Sequence, residues 1–384
     1  MPPHKLGIIG TGFIARGLAG MIRRAADFEL AAVLTRRSGG GLHGFQDDEL
    51  VQDVEKFIDA VDIVVECSGH TLHATEVIDL ALKAGKKVVT MNSEWHITVG
   101  SYFKGKGYVT EAEGDQAGCL AALHHEALSM GFAPLAYINV KGYLDLLPTR
   151  ETMEFYSKKQ GISLDQVTSF TDGSKVQVEQ AHVANGLGLG ITKAGLLGSR
   201  LATLTEAAQH FGKAAQVMGR PIADFVVTPE APGAVFIICT HDQEQAFSLE
   251  YMKLGKGPFY ILKKPYHLCH LEMLKTIRQV AQGAPVLLDN GSLPSVSVAT
   301  LAKVDLQPGQ AISRGMGSFE VRGECVRIAE AKGHLPIGLS HQFVMKRGIS
   351  AGQMLTMDDV DLPESLALAA WQQTEDRVCG AATA

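Results

Sequence analysis

The stretch Leu6-Gly7-Ile8-Ile9-Gly10-Thr11-Gly12-Phe13-Ile14-Ala15-Arg16-Gly17 decides the fold class of this chain. Residues 6–9 read as a short buried strand, and Leu18, Met21 and Ile22 carry on as the apolar face of a helix. Between them lies G-x-G-x-x-A, the turn that seats a dinucleotide on a helix N-terminus. Gly10 permits the tight turn, Gly12 lets a pyrophosphate approach the backbone, and Ala15 keeps helix and strand close. The free N–H groups of the first helical turn, around Phe13 and Ile14, supply donors for the anion. Glycine-rich turns of this spacing also occur in unrelated α/β units, so the surrounding sequence has to carry the reading.

The surroundings repeat the pattern. Residues 29–34 read as a second strand, and Asp62-Ile63-Val64-Val65-Glu66-Cys67-Ser68-Gly69-His70 continues the sheet. A helix is predicted over residues 73–84, followed by the strand Lys86-Lys87-Val88-Val89-Thr90-Met91-Asn92. Strands alternating with helices of this length predict an α/β fold, a parallel, doubly wound Rossmann sheet. Ser68, Gly69 and Asn92, at strand ends, are the expected further contacts of the cofactor. An NAD-selective domain ends its second strand with an acid for the ribose 2′-OH. Here the chain reads Thr35-Arg36-Arg37-Ser38, and the first acid after it is Asp47. Two guanidiniums and a hydroxyl suit a 2′-phosphate, so Arg36 and Arg37 favour NADP(H) over NAD(H).

Composition narrows the function classes. The chain has 384 residues, 46% hydrophobic and 20% charged, with a net charge of −6. No basic field points to nucleic acid, and no apolar run approaches the ~18 residues of a membrane span. The N-terminus lacks the apolar core of a signal peptide. The six cysteines are scattered without paired spacing, which predicts reduced thiols in a cytoplasm. At about 150 residues per domain, the chain divides into a dinucleotide-binding domain at 1–145, an α+β substrate and dimerisation domain at 146–304, and a small β-rich module at 305–384. Residues 377–384 read as a loose tail. The expected partner is a small-molecule substrate, with no nucleic acid and no membrane, in a homo-oligomer (dimer or tetramer).

Candidate chemistry concentrates after Asp172-Gly173. If a helix starts there, Asp172, Lys175, Glu179 and His182 share one narrow face. Lys175 is the expected proton donor to a developing alkoxide, tuned by Glu179, with Asp172 orienting it. The plain alternative is a solvated i,i+4 pair contributing only ~0.3 kcal/mol. Lys141, ending an apolar strand over residues 134–140, is the second candidate acid or an anion anchor. Asn185 is a candidate substrate hydrogen-bond partner. Lys264, Tyr266 and His267 put an ammonium, a phenol and an imidazole where they can close over an anionic substrate. No metal set is signalled: His124 and His125 point apart on a helix, and His267 and His270 have only Glu272 nearby. A divalent cation is therefore possible without being required by these residues.

Two resemblances follow from these segments. Residues 7–17, Val64-Val65-Glu66-Cys67-Ser68-Gly69 and residues 81–92 resemble the cofactor domain of homoserine dehydrogenases. The likeness departs at Asn92-Ser93-Glu94, where that family continues with a functional lysine. Over nearly the whole chain the sequence is similar to the homoserine-dehydrogenase-like group that includes the DXR-like reductoisomerases (DRL). The matching segments are Gly114-Asp115-Gln116-Ala117-Gly118, Val140-Lys141-Gly142-Tyr143-Leu144-Asp145, Thr168-Ser169-Phe170-Thr171-Asp172-Gly173-Ser174-Lys175 and Lys264-Pro265-Tyr266-His267-Leu268. The segment from Lys346 to Thr356 is similar to SAF domains. The resemblance implies an NADP-dependent oxidoreductase that reduces, or reductively isomerises, a small hydroxylated, anionic or phosphorylated carbonyl compound. A homoserine-dehydrogenase-type alcohol or aldehyde dehydrogenase, a nucleotide-binding protein without catalysis, and a C-terminal platform for carbohydrate or a protein partner are the alternatives.

Overall fold

Hydrophobic runs without alternation build the first sheet, because strands covered by helices on both faces bury every side chain. In His4–Ile9 (β1), Leu6, Ile8 and Ile9 are fully buried. The computed structural model describes residues 2–37 and 41–381. After β1 come Phe13–Ile22 (α1), Phe28–Leu34 (β2), Leu50–Val51 (β3), Val54–Asp59 (α2), Ile63–Glu66 (β4) and Thr71–Lys83 (α3). Lys87–Thr90 (β5) leads into Ser93–Trp95 (α4), a π-helical turn over His96–Gly100, and Ser101–Phe103 (α5). Val109–Glu111 (β6) then completes a parallel sheet in the order β3-β2-β1-β4-β5-β6. The chain order reverses between β1 and β4, which places a ligand crevice at the carboxyl ends of those strands.

A helix over Gln116–Ser129 (α6) crosses to a second, mixed sheet. Its strands are Ala133–Lys141 (β7), Ser199–Arg200 (β8), Ile222–Val227 (β9), Val235–Thr240 (β10) and Tyr260–Lys264 (β11), in the order β11-β10-β7-β9-β8. The division expected at residue 145 would leave residues 133–141 with the first sheet; the structure pairs them with β9 and β10 instead. A run buried on both faces looks the same in sequence whichever sheet takes it. Arg150–Gln160 (α7), Leu164–Thr171 (α8), Ser174–Gly186 (α9), Leu204–Met218 (α10) and Ala246–Tyr251 (α11) belong to the same region, and α9 and α10 pack on its strands. His270–Ala281 (α12) returns to the first sheet, where Met273, Leu274, Ile277 and Val280 pack with Leu6, Ile8, Ala15 and Leu18.

The last residues form small antiparallel sheets. Val296–Ala302 (β12) pairs with Val321–Arg327 (β14), and Ala311–Arg314 (β13), His341–Met345 (β15) and Val360–Asp361 (β16) make a separate three-stranded sheet. The chain continues as Leu366–Ala381 (α13), so the described part of the expected loose tail is helical. Alanines supply much of its buried side: Ala367, Ala370 and the fully buried Trp371 pack in one core with Val77, Ile78 and Ala81 of α3. That face carries too little hydrophobic contrast to be read as a periodic helix. The same core joins Ile9, Leu34 and Val64 to Leu306, Ile312, Phe343 and Met345. The C-terminal region is therefore built into the cofactor domain's core. Among the described residues, no helix is long and apolar enough to cross a membrane.

Candidate active site

The turn after β1 fits a dinucleotide. Gly10 has φ +106°, and a Cβ there would fall 2.9 Å from the Ser68 Cα, since β1 and β4 run side by side. A Cβ on Gly12 would meet nothing within 4 Å, leaving an open cradle at the start of α1. Ala15 is fully buried against the sheet. These are the conformations a pyrophosphate cradle requires. Phe13 is exposed, edge-on to His270 with ring centroids 5.7 Å apart, and Ile14 is half-buried. Ser68 donates to Glu66 Oε1 through its backbone N–H at 2.7 Å and through its hydroxyl, and Gly69 follows at φ +61°. Burial raises the Glu66 carboxyl's pKa. Asn92 Oδ1 accepts the Trp95 N–H at 3.0 Å and caps α4.

The two arginines after β2 separate. Arg36 adds its charge to the surroundings of His70 and His73, whose imidazole pKa values are lowered first by burial. The His70 ring stacks on His341 of β15 at 4.8 Å; burial, then His341, then Arg36 push its pKa down to about 4. Thr35 Oγ1 accepts the Arg37 N–H at 3.2 Å. Ser38, the hydroxyl expected beside them, lies outside the described residues.

Burial also pushes His96 and His334 down to about 4. A histidine whose folded pKa lies below its unfolded value of 6.5 is neutral in the fold. Between those values the unfolded chain binds the extra proton, so stability is full above about 6.5 and declines as pH falls toward 4. Urea midpoints taken from pH 7 to pH 5 are expected to fall, and His96→Gln to flatten the slope. A flat wild-type profile would contradict this assignment.

Between the two sheets lies a buried polar cluster. Lys175, on the first turn of α9, places Nζ 3.4 Å from Asp115 Oδ2 and 3.6 Å from Glu179 Oε1. Lys141, at the end of β7, reaches Gln116 Oε1 at 2.6 Å and Glu179 Oε2 at 3.3 Å. Asn139 Nδ2 donates to the same Glu179 oxygen at 2.7 Å. Burial opposes the Lys175 charge, but Asp115, Glu179 and Glu111 outweigh it and raise the ammonium's pKa. Burial likewise opposes the Asp115 carboxylate, and Lys175 and Ser93 outweigh it. Ser93 Oγ donates to Asp115 Oδ2 at 2.7 Å, and His182 Nδ1 lies 3.1 Å from that hydroxyl. Since Ser93 lies just past the end of β5, after Met91 and Asn92, the cluster stands at the carboxyl end of the cofactor sheet. Behind it, Thr90 Oγ1 donates to Glu111 Oε2 at 2.5 Å, and burial with the nearby Asp115 raises the Glu111 carboxyl well above its usual range.

The structure thus brings Lys141, Lys175 and Glu179 together and leaves two expected members elsewhere. Asp172 ends α8, and Gly173, at φ +83°, starts α9. Asp172 is therefore off the helix face expected for it. Its fully buried carboxylate meets Lys303 Nζ at 2.6 Å and accepts the Ser174 N–H at 2.9 Å. Asn185 is also turned away: it donates to Val296 O and Asn290 Oδ1 and accepts from the N–H groups of Ser295 and Val296. It pins the chain entering β12 instead of facing the cleft. On the neighbouring rim, Lys264 meets Glu113 at 3.2 Å and Glu272 more closely. His267 Nδ1 lies 2.8 Å from Gly233 O, and Tyr266 is half exposed.

Sequence reading assigned no role to Asp115, Gln116, Ser93 or Asn139. Asp115 is 60 residues from Lys175, too far for any helical or strand period to connect them. The one signal was the segment Gly114–Gly118 itself, which carries the family likeness. Its glycines are enforced: a Cβ on Gly114 would fall 2.1 Å from Cys269 O, and one on Gly118 1.9 Å from Ala112 O. Among the described residues, no cluster of three or more His, Cys, Asp or Glu side chains is arranged to hold a metal ion.

Comparison with known proteins agrees with this division of labour. Residues 10–97 match the homoserine dehydrogenase NAD binding domain, and residues 114–273 match the catalytic domain of oxidoreductase DRL. Over 71 residues the chain is 37% identical to meso-diaminopimelate D-dehydrogenase of Lysinibacillus sphaericus, covering 18% of this chain and 22% of that one. Over 162 residues it is 27% identical to the enzyme of the same name from Ureibacillus thermosphaericus, covering 41% and 46%. The chain thus spans less than half the length of either relative. A hyperthermophilic archaeal homoserine dehydrogenase in complex with NADPH is similar at TM-score 0.47 and 14% identity, over 74% of this chain and 99% of that one. A homoserine dehydrogenase from Thiobacillus denitrificans reaches TM-score 0.46 at 13% identity, over 92% and 98%. The fold and the glycine cradle are those of a dinucleotide-binding α/β protein, and both domain matches are to oxidoreductase domain families. More particularly, the chain is similar to a homoserine-dehydrogenase-type cofactor domain over residues 10–97 and to a DRL catalytic domain over residues 114–273.

Proposed function

We propose that the protein is an NADP-preferring reductase of a small hydroxylated carbonyl compound, reducing C=O to CH–OH alone or together with a skeletal rearrangement. The convergence of Lys175 with Asp115 and Glu179, one hydroxyl away from the end of β5, carries this reading. Bound nicotinamide supplies the hydride. Lys175 Nζ holds the proton for the developing alkoxide, and the two carboxylates fix that ammonium and keep it charged. Glu179 also fixes Lys141, whose ammonium orients a substrate oxygen. Lys264, Tyr266 and His267 form the rim assigned to an anionic or phosphorylated end of the substrate. One observation favours a second reading, an uncharged hydroxylated substrate: Lys141, Lys175 and Lys264 each already meet a carboxylate. The same proposal makes the protein a cytoplasmic homo-oligomer with reduced cysteines.

The test is NADPH consumption followed by absorbance against paired ketoses and aldehydes, each with and without a phosphate. Turnover of the phosphorylated members alone supports the first reading. Turnover of the free sugars alone supports the second. Absence of nicotinamide binding and of turnover would overturn both.

A further inference from the structure

The cavity beside the glycine turn, about 320 Å³, has two walls from different parts of the chain. Gly12, Arg16, Arg37 and His43 line one; Ser163 and Gln166, from the corner between α7 and α8, line the other. Building on the NADP reading above, we propose that this corner is the second wall of the adenosine 2′-phosphate site, so that the catalytic domain itself takes part in choosing the cofactor.

Charge carries the assignment. No carboxylate belongs to the described residues lining the cavity, which include two arginines and a histidine. Elsewhere arginines pair with carboxylates, as Arg23 with Glu49, Arg278 with Asp27 and Arg347 with Asp359, or spend their guanidinium on backbone carbonyls, as Arg200, Arg220 and Arg377 do. Among the described residues neither Arg16 nor Arg37 has a carboxylate partner. The stem of Arg16 is held on Gly44, where a Cβ would come within 3.2 Å of it. Unpaired guanidiniums facing one cavity are a site for a polyanion, since planar forks bind phosphate oxygens. The second wall respects this. Asp165, between Ser163 and Gln166, turns out of the cavity to Arg314 Nη1 at 3.4 Å. Ser163 and Gln166 satisfy each other in a capping box, with Gln166 N–H donating to Ser163 Oγ at 3.3 Å. They present polar, uncharged groups to the anion.

The capping box supplies a clean probe. Glutamate serves as well as glutamine at the third position of such a box, so Gln166→Glu keeps the helix start while adding a negative charge to the cavity wall. Its NADPH dissociation constant should rise by about fivefold or more at low salt and recover as salt is added; that for NADH should not move. Gln166→Lys should leave NADH unchanged and tighten NADPH. Fluorescence titration of the full-length protein reads both. Unchanged NADPH affinity in both variants, with wild type still preferring NADPH, would overturn the second wall and leave the NADP reading intact. Equal weakening for both nucleotides in Gln166→Glu would overturn the 2′-phosphate assignment, because the wall would then face the shared pyrophosphate. A wild type that does not prefer NADPH would overturn the NADP reading, and this inference with it.

Discussion

Lys175→Met is expected to lower turnover by about 10²–10⁴-fold, the usual contribution of a positioned general acid, while NADPH binds as tightly as before. The methionine keeps the length of the stem and removes the proton. The nucleotide cradle is formed by Gly10 and Gly12, on another element, so cofactor titration separates a chemical loss from a folding one. The pH profile follows from the same neighbours. Because Asp115 and Glu179 overcome burial and raise the ammonium's pKa, Lys175 stays protonated throughout the neutral range. The reduction rate should then show no loss from this group below the ordinary lysine value of ~10.4. Removing one neighbour, in Asp115→Asn, should bring the alkaline limb to lower pH. Full turnover in Lys175→Met would remove Lys175 from the chemistry and pass the role of acid to Lys141.

Asp172→Ala is expected to destabilise the fold by about 3–5 kcal/mol, the range for breaking a buried ion pair and leaving one charge unmatched. The stranded group is Lys303, whose side chain is 2% exposed. Lys303 reaches Asp172 from the end of the β12–β14 ribbon, across the junction on which the first turns of α9 rest. Gly323 N–H donates to Ser174 Oγ at 2.8 Å, and Cys325 N–H to Gln177 Oε1 at 2.9 Å. The C-terminal region thus holds the helix that presents Lys175. Replacing both partners with apolar residues, Asp172→Leu with Lys303→Met, should recover much of the loss, since neither charge is then stranded. Urea denaturation of the single and double variants reads this. A stable Asp172→Ala protein that has lost turnover would return Asp172 to the catalytic group.

Much of the cofactor half was legible from pattern. G-x-G-x-x-A between an apolar strand and a periodic helix determines local geometry within a dozen residues. Strands alternating with helices predict a parallel sheet, whose order, β3-β2-β1-β4-β5-β6, the structure supplies. Lys175 and Glu179 were also legible as neighbours, because i,i+4 residues share a helix face whatever the tertiary structure. Asp172 was misplaced by one boundary: Gly173 in the left-handed region ends α8 and starts α9, and a break of two residues rotates a side chain off the shared face. The helical C-terminus escaped because alanine supplies much of its buried side.

By itself, the sequence determined the α/β class, the cofactor cradle and the pair Lys175–Glu179, all of which rest on contacts within a few residues. Only the tertiary structure decided which sheet takes β7, that α12 returns to the first sheet, and that Asp115, Gln116 and Ser93 meet Lys175 and Lys141. It also decided that Asp172 belongs to Lys303 and that the α7–α8 corner faces Arg16 and Arg37. Each of these joins residues far apart in the chain, and such contacts are selected by packing and charge matching across the whole fold, which no local period records.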